Sequence, residues 1–359
     1  MWRWHTLRQE YLPSPAGQQM GYNGPMVSTP LLSIQNLSVT FPTDDGPAYA
    51  VNHLSLALEP GKVLGVVGES GCGKSMTSMA ILRLIPRPGR IAEGSIHFNG
   101  QNLLDLNNEQ MRQIRGAQIA LIPQDPLTSL NPVYTIGEQI TEILTLHQGL
   151  NQRDAQRKAT ELLDMVRIPN SKDRLNDYPH QFSGGMRQRV MIAMALSCTP
   201  SLLIADEPTT ALDVTVQAQI LELLRDIRKE HQTAILLITH DLGVVAEMCD
   251  EVAVMYAGRV VEKASAYDLF KDPKHPYTLG LLNSLPTMTR SRLEPIEGQP
   301  PSITEMPPGC SFEPRCHKRL PVCPSRFPQE AQLSDSHSVS CYLYPGSFYP
   351  EQLSSQVSS

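Results

Sequence analysis

No apolar run in this sequence is long enough to cross a membrane. A spanning helix needs about 20 apolar residues, and stretches such as Val63 to Val67 and Ala234 to Ile238 are strand-length. The first residues, Met1-Trp2-Arg3-Trp4-His5, lead into a polar stretch rich in Pro, Gly, Ser and Gln. That stretch lacks the apolar centre of a secretory signal, and residues 1–30 read as a mobile extension. Dense Lys/Arg runs are also missing, and the formal net charge is −6. The electrostatic footprint of a nucleic-acid binder is therefore absent. Cysteine is sparse through most of the chain, with Cys72, Cys198 and Cys249 the three before residue 300. In a reducing compartment a disulfide framework is not expected. These absences predict an intracellular chain that meets a membrane through a partner.

What is present is core material. Hydrophobic residues make up 41% of 359 residues and charged residues 18%. That length predicts one large domain with attachments. Apolar runs of strand length recur at Leu31 to Phe41, Lys62 to Val67, Gln118 to Ile122, Ser201 to Ala205 and Thr233 to Ile238. Helical patterns fall between them at Lys74 to Ile85, Val214 to Glu230 and Leu242 to Met248. The alternation predicts an α/β fold, a mostly parallel sheet covered by helices. Between about 135 and 180 strand runs give way to charged helical periodicity, as in Gln152 to Arg167, and a helical insert is expected. After Leu285 the composition turns to Pro, Ser, Arg and Cys, which predicts a small module with little regular structure.

Gly68-Glu69-Ser70-Gly71-Cys72-Gly73-Lys74-Ser75 matches G-x-x-x-x-G-K-[ST] between a strand and a helix. Its glycines let backbone N–H groups point inward at phosphates. Lys74 would reach the β- and γ-phosphates, and Ser75 would ligate Mg²⁺. The helix N-terminus adds a favourable dipole. A second apolar strand, Leu202 to Ala205, delivers Asp206 and Glu207 at its C-terminal end. Asp206 would hold Mg²⁺, and Glu207 would take the proton of an attacking water.

Phe182-Ser183-Gly184-Gly185-Met186 then discriminates among phosphate-loop proteins. Here the chain resembles the ABC ATPases, whose signature reads Leu-Ser-Gly-Gly-Gln. Phe182 and Met186 depart from it, while Ser183, Gly184 and Gly185 keep the hydroxyl and the exposed amides. The resemblance covers about residues 31–265 and implies further roles. Gln124 matches the lid glutamine that senses Mg²⁺. Asp213, in Ala211-Leu212-Asp213, matches the loop crossing a dimer seam. His240 matches the switch histidine on the γ-phosphate, and Phe41 the aromatic that stacks on adenine. ATP and Mg²⁺ are the cofactors implied. Two further segments, Pro123 to Pro132 and His275-Pro276-Tyr277-Thr278, resemble the ATPases of bacterial dipeptide and oligopeptide importers. Nickel, glutathione and opine importers share much of that pattern. A soluble ABC protein of translation or repair fits less well, because only 59 residues separate Gln124 from Ser183. The resemblance implies two membrane permeases, a second related ATPase and an extracytoplasmic solute-binding protein as partners, with this chain on the cytoplasmic face of the membrane and no nucleic acid.

The tail, 266–359, carries Cys310-x₅-Cys316-x₆-Cys323-x₁₇-Cys341. Four thiolates suit either Zn²⁺ or an iron–sulfur cluster. The resembled group implies a [4Fe–4S] cluster. Cys310 follows His240 by 70 residues. That separation predicts a structural tail with no part in nucleotide chemistry.

Overall fold

A computed structural model describes residues 29–125, 129–210, 212–285 and 296–349. The extension expected at the N-terminus lies outside these residues up to residue 28, and so does Ala211.

Two sheets build the fold. The larger runs β11-β12-β10-β9-β3-β8-β7-β6. Its centre is β3 (Val63–Val67), β7 (Leu202–Asp206) and β8 (Ala234–Thr239), each buried along its whole length. Together with β6 (Ile119–Ile122) and β9 (Glu251–Tyr256) they pair in parallel. A parallel strand covered on both faces needs a continuous apolar run, and that is why these strands are legible in sequence. The smaller sheet is antiparallel, in order β2-β1-β4-β5. It comprises β1 (Leu32–Thr43), β2 (Gly46–Leu58), β4 (Arg90–Phe98) and β5 (Gln101–Asn102). Of these, the sequence reading named only β1.

Helix α1 (Lys74–Ile81) follows β3 directly, and α2 (Asn108–Ile114) precedes β6. The expected helical insert holds α3 (Ile136–Gln148), α4 (Gln152–Met165) and the short α5 (Ser171–Arg174). Thr135 and Glu138 form a capping box at the start of α3, and Asn151 caps α4. Ile140, Leu144, Ala159 and Leu163 from this insert share one core with Val190 and Ile192 of α6 (Gly184–Leu196). Helices α7 (Val214–His231) and α8 (Leu242–Met248) cross over to β8 and β9.

Beyond the antiparallel strand β10 (Arg259–Ser265) come α9 (Ala266–Lys271) and α10 (Pro276–Asn283). The segment expected to have little regular structure contributes β11 (Ala331–Ser334) and β12 (His337–Val339). Strand β12 pairs with β10 through Glu262↔Val339 and Lys263↔Ser338, so the main sheet continues into the tail. Glu262 ties the junction. It is 1% exposed and accepts from the backbone N–H of Lys274 and His275, and it pairs with His337 Nε2 at 2.7 Å. A buried carboxylate with this many partners is satisfied, whereas one without them would be costly.

Among the described residues, no helix is long and apolar enough to cross a membrane.

Candidate active site

The phosphate loop leaves the end of β3 and turns into α1. Gly73 sits at φ +103°, and a Cβ there would lie 2.4 Å from the carbonyl oxygen of Ala50. Gly68 is equally confined, since its Cβ would meet the Met255 carbonyl at 2.2 Å. Only glycine permits both the turn and the close approach. Lys74 is buried, and its Nζ donates to the carbonyls of Gly68 (2.7 Å) and Glu69 (2.9 Å). Burial pushes the Cys72 thiol up from its usual range, so it stays protonated within the loop.

The two motifs expected to share Mg²⁺ meet. Ser75 Oγ donates to Asp206 Oδ1 at 3.1 Å across 131 residues of sequence. Burial raises the Asp206 carboxyl, and the hydrogen bond from Ser75 partly opposes it. A buried carboxylate beside a hydroxyl is a hard-oxygen donor set suited to Mg²⁺.

Glu207 is the meeting point of the remaining polar groups. Its Oε2 accepts from Gln124 Nε2 (2.9 Å) and Thr210 Oγ1 (2.8 Å), and His240 Nδ1 lies 3.3 Å from Oε1. Partial burial would raise its pKa, but the bonds from Thr210 and His240 outweigh that and hold the carboxyl below its ordinary value. It is therefore a carboxylate, free to accept a proton. Residues 124, 207 and 240 come from different loops at the C-terminal ends of β6, β7 and β8, where an open parallel sheet places its ligands. Thr210 was missed in sequence. A lone threonine three residues past a carboxylate carries no signal until the loop is folded.

The other expected site residues stand apart. Ser183 caps α6 by accepting from Met186 N at 3.3 Å, and Asp213 caps α7 by accepting from Val216 N at 2.9 Å. Open space surrounds Gly184, whereas a Cβ on Gly185 would meet Val216 Cγ1 at 2.8 Å. No hydrogen bond or ion pair among the described residues joins Ser183, Gly184 or Gly185 to the phosphate loop. Phe41 is half-buried at the edge of the smaller sheet's core, its ring covering Gly89, where a Cβ would lie 2.5 Å from it. Ser70 and Gly71 lie on the loop's outer turn, with Gly71 at φ +78° and no neighbour for a Cβ.

In the tail, Cys310, Cys316, Cys323 and Cys341 line one pocket, together with His275 and Phe312. All four are free thiols. Burial, with mutual repulsion after it, pushes Cys310 up to about 12 and Cys341 to about 11. Among the described residues no group of three or more His, Cys, Asp or Glu is placed to hold a metal ion.

A phosphate loop after β3, an Asp–Glu pair at the end of β7 beyond the intervening β8, and a Gly-rich N-terminus on α6 define an ATP-hydrolysing cassette of the ABC type. The ABC transporter family matches residues 51–210, and the family described as "Oligopeptide/dipeptide transporter, C-terminal region" matches residues 261–323. The chain belongs to the ATP-binding proteins of that transporter family. It is 49% identical to the dipeptide transport ATP-binding protein DppD of Bacillus subtilis, over 87% of this chain and 94% of the relative. It is 51% identical to the oligopeptide transport ATP-binding protein OppD of Salmonella typhimurium, over 86% and 92%. Among solved structures, a dimeric post-hydrolysis state of an ATP-binding cassette bound to ADP and Pi superposes with a TM-score of 0.60. It is 27% identical and covers 66% of this chain and 98% of its own.

Proposed function

We propose that this chain hydrolyses ATP to energise import of di- and oligopeptides through a pair of membrane permeases. The observation that carries the peptide reading is the joint match of cassette and C-terminal region to dipeptide and oligopeptide transport proteins at about half identity. Nickel, glutathione or opine import is the alternative it displaces. In the site, Lys74 and the loop amides would hold the phosphates, and Ser75, Asp206 and Gln124 would supply oxygen ligands to Mg²⁺. Glu207 accepts the proton of the attacking water, oriented by Gln124, Thr210 and His240. Phe41 supports the adenine.

Among the described residues Ser183, Gly184 and Gly185 have no hydrogen bond or ion pair to their own phosphate loop, in keeping with a role at a γ-phosphate held by a second ATPase. Asp213 lies at that seam. The departures Phe182 and Met186 favour a related but different chain as the partner. The helical insert and the loop after Gln124 meet the permeases on the cytoplasmic face, and an extracytoplasmic binding protein supplies peptide.

We assign the four tail thiols to a [4Fe–4S] cluster. Four free cysteines lining one pocket provide the donor set, and buried His275 Nε2, on the same pocket, lacks a partner among the described residues. The pocket that they line is about 10 Å³.

The test is reconstitution in proteoliposomes with both permeases, the binding protein and the candidate second ATPase. ATP-dependent uptake of labelled peptide is expected, with slow turnover by the isolated monomer. Uptake of nickel or glutathione but not peptide would overturn the substrate. Full ATPase rate in a strictly monomeric chain would overturn the shared site.

A further inference from the structure

The phosphate loop is gripped from the tail. Arg315 lies in the 3₁₀ turn Glu313–Arg315, directly before Cys316. Its side chain is 5% exposed and forks onto the carboxylate of Glu69, the second residue of the phosphate loop. Nη1 donates to Oε2 at 2.7 Å and Nη2 to Oε1 at 3.0 Å. The remaining donors are also used. Nε bonds the Glu297 carbonyl at 2.9 Å, Nη2 the Ile296 carbonyl at 3.3 Å and Nη1 the Tyr256 hydroxyl at 3.2 Å. A guanidinium has five N–H groups, and here each has an acceptor. Such a planar fork fixes a carboxylate in position as well as in charge.

Glu69 is held at two other points. Its backbone N–H donates to the hydroxyl of Tyr277 at 2.8 Å, and its carbonyl accepts from Lys74 Nζ at 2.9 Å. Tyr277 is fully buried and packs with Tyr256 and Phe312, their ring centroids 4.6–5.4 Å apart. One loop residue thus links the tail to the lysine of the phosphate site.

We infer that Arg315 is a positioning residue of the nucleotide site: it neutralises the Glu69 carboxylate and fixes the loop that receives the phosphates. The electrostatics make this a matter of affinity as well as of stability. Glu69 places a negative charge in a loop built for a polyanion. With Arg315 in place the pair is neutral. Without it, a carboxylate only 25% exposed is left uncompensated in the loop that receives the phosphates. The inference rests on the assignment of the loop to ATP.

The experiment measures MgATP affinity and steady-state KM and kcat for the full chain in five forms: wild type, Arg315→Gln, Arg315→Lys, Glu69→Gln and the Arg315→Gln/Glu69→Gln double variant. Arg315→Gln should weaken MgATP binding roughly tenfold, mainly in KM, and the loss should shrink at high salt as the bare charge is screened. Glu69→Gln should lose less. Adding Glu69→Gln to Arg315→Gln should restore affinity toward that of Glu69→Gln alone, although both partners of the ion pair are then gone. Arg315→Lys should fall between wild type and Arg315→Gln. A purely structural role gives the opposite order, with the double variant as weak as Arg315→Gln or weaker, and that result would overturn the inference, as would normal binding by Arg315→Gln. If Arg315→Gln fails to fold, Glu69→Asp serves, because it keeps the charge but shortens its reach to the fork. It should weaken binding, and wild-type affinity would refute the role. Lys74→Ala is the separate control. If it binds ATP normally, the assignment of the loop to ATP fails, whatever Arg315 does.

Discussion

Glu207 occupies a backbone conformation that few side-chain-bearing residues adopt, at φ +49°. Such strain persists where surrounding bonds impose it. Here Glu207 N–H bonds the Ile238 carbonyl at 2.8 Å, and Gln124 and Thr210 fix the carboxylate. The arrangement aims one oxygen at its bonded partners and leaves the other toward His240. Glu207→Gln keeps the shape and an acceptor oxygen but loses the base. Hydrolysis should fall by ~10²–10⁴-fold while MgATP binding is retained. Single-turnover phosphate release, measured beside equilibrium nucleotide binding, separates the two, and wild-type release would remove Glu207 from the role of base. The residues around this carboxylate were legible in sequence where a motif is contiguous, as for Lys74, Ser75 and Asp206. Gln124 and His240 were placed by resemblance. Thr210 and Arg315 were missed, because their partners lie on other loops and their own neighbours in the chain give no pattern.

At the scale of elements, the parallel strands were readable because burial on both faces demands unbroken apolar runs. Strands β2 and β4 were missed, since their burial alternates irregularly and β4 is largely solvent-facing until Ile96. Helix α1 ends four residues before the sequence pattern does, at Ile81, because Arg83 turns left-handed (φ +53°) and bonds the carbonyls of Leu103 and Leu106. Helix α10 carries a testable cap. His275 Nδ1 accepts from Tyr277 N at 3.1 Å, which requires a neutral ring. Full burial, only partly opposed by Glu262, pushes its pKa down from 6.5 to about 4. An unfolded chain would protonate His275 near pH 6.5, whereas the folded chain keeps it neutral to about pH 4. Between these values the unfolded state binds the extra proton, so this residue costs stability as pH falls, by about 3 kcal/mol at the acid end. His275→Asn retains a capping acceptor that does not titrate. Thermal melts from pH 7 to 4 should drop more steeply for wild type than for this variant. Parallel curves would show that His275 does not titrate as its burial implies.

For the whole molecule, the tail was read as a separate piece because its composition changes and because it lies far along the chain from the nucleotide motifs. Composition does not report pairing across a sheet. The strand β12 joins β10, Cys310, Phe312 and Cys323 share a core with Val252 and Tyr256, and Arg315 reaches Glu69 across 246 residues of sequence. Contacts of that separation leave no local trace. The tail, expected to stand apart, is thus tied to the phosphate loop through Arg315, and the positioning role inferred for Arg315 would add a part in nucleotide binding. The consequence concerns the thiols. Pro314, Pro321 and Pro324 forbid a continuous helix between them, and the segment is held by Phe312, Leu320, Val322 and Phe327, which pack into the core with Val252 and Tyr256. A cluster on the four thiols, as proposed, would brace the loop that carries Phe312 and Arg315. Cys310→Ser should open the tail to protease and also weaken MgATP binding, by roughly the tenfold expected for Arg315→Gln. Anaerobic stripping of the native chain with a chelator should do the same, and reloading should reverse it. Limited proteolysis and nucleotide affinity, read on the same samples, decide the matter. Protease sensitivity that rises while affinity stays at the wild-type value would uncouple the thiol pocket from the phosphate loop and return the tail to a purely structural part.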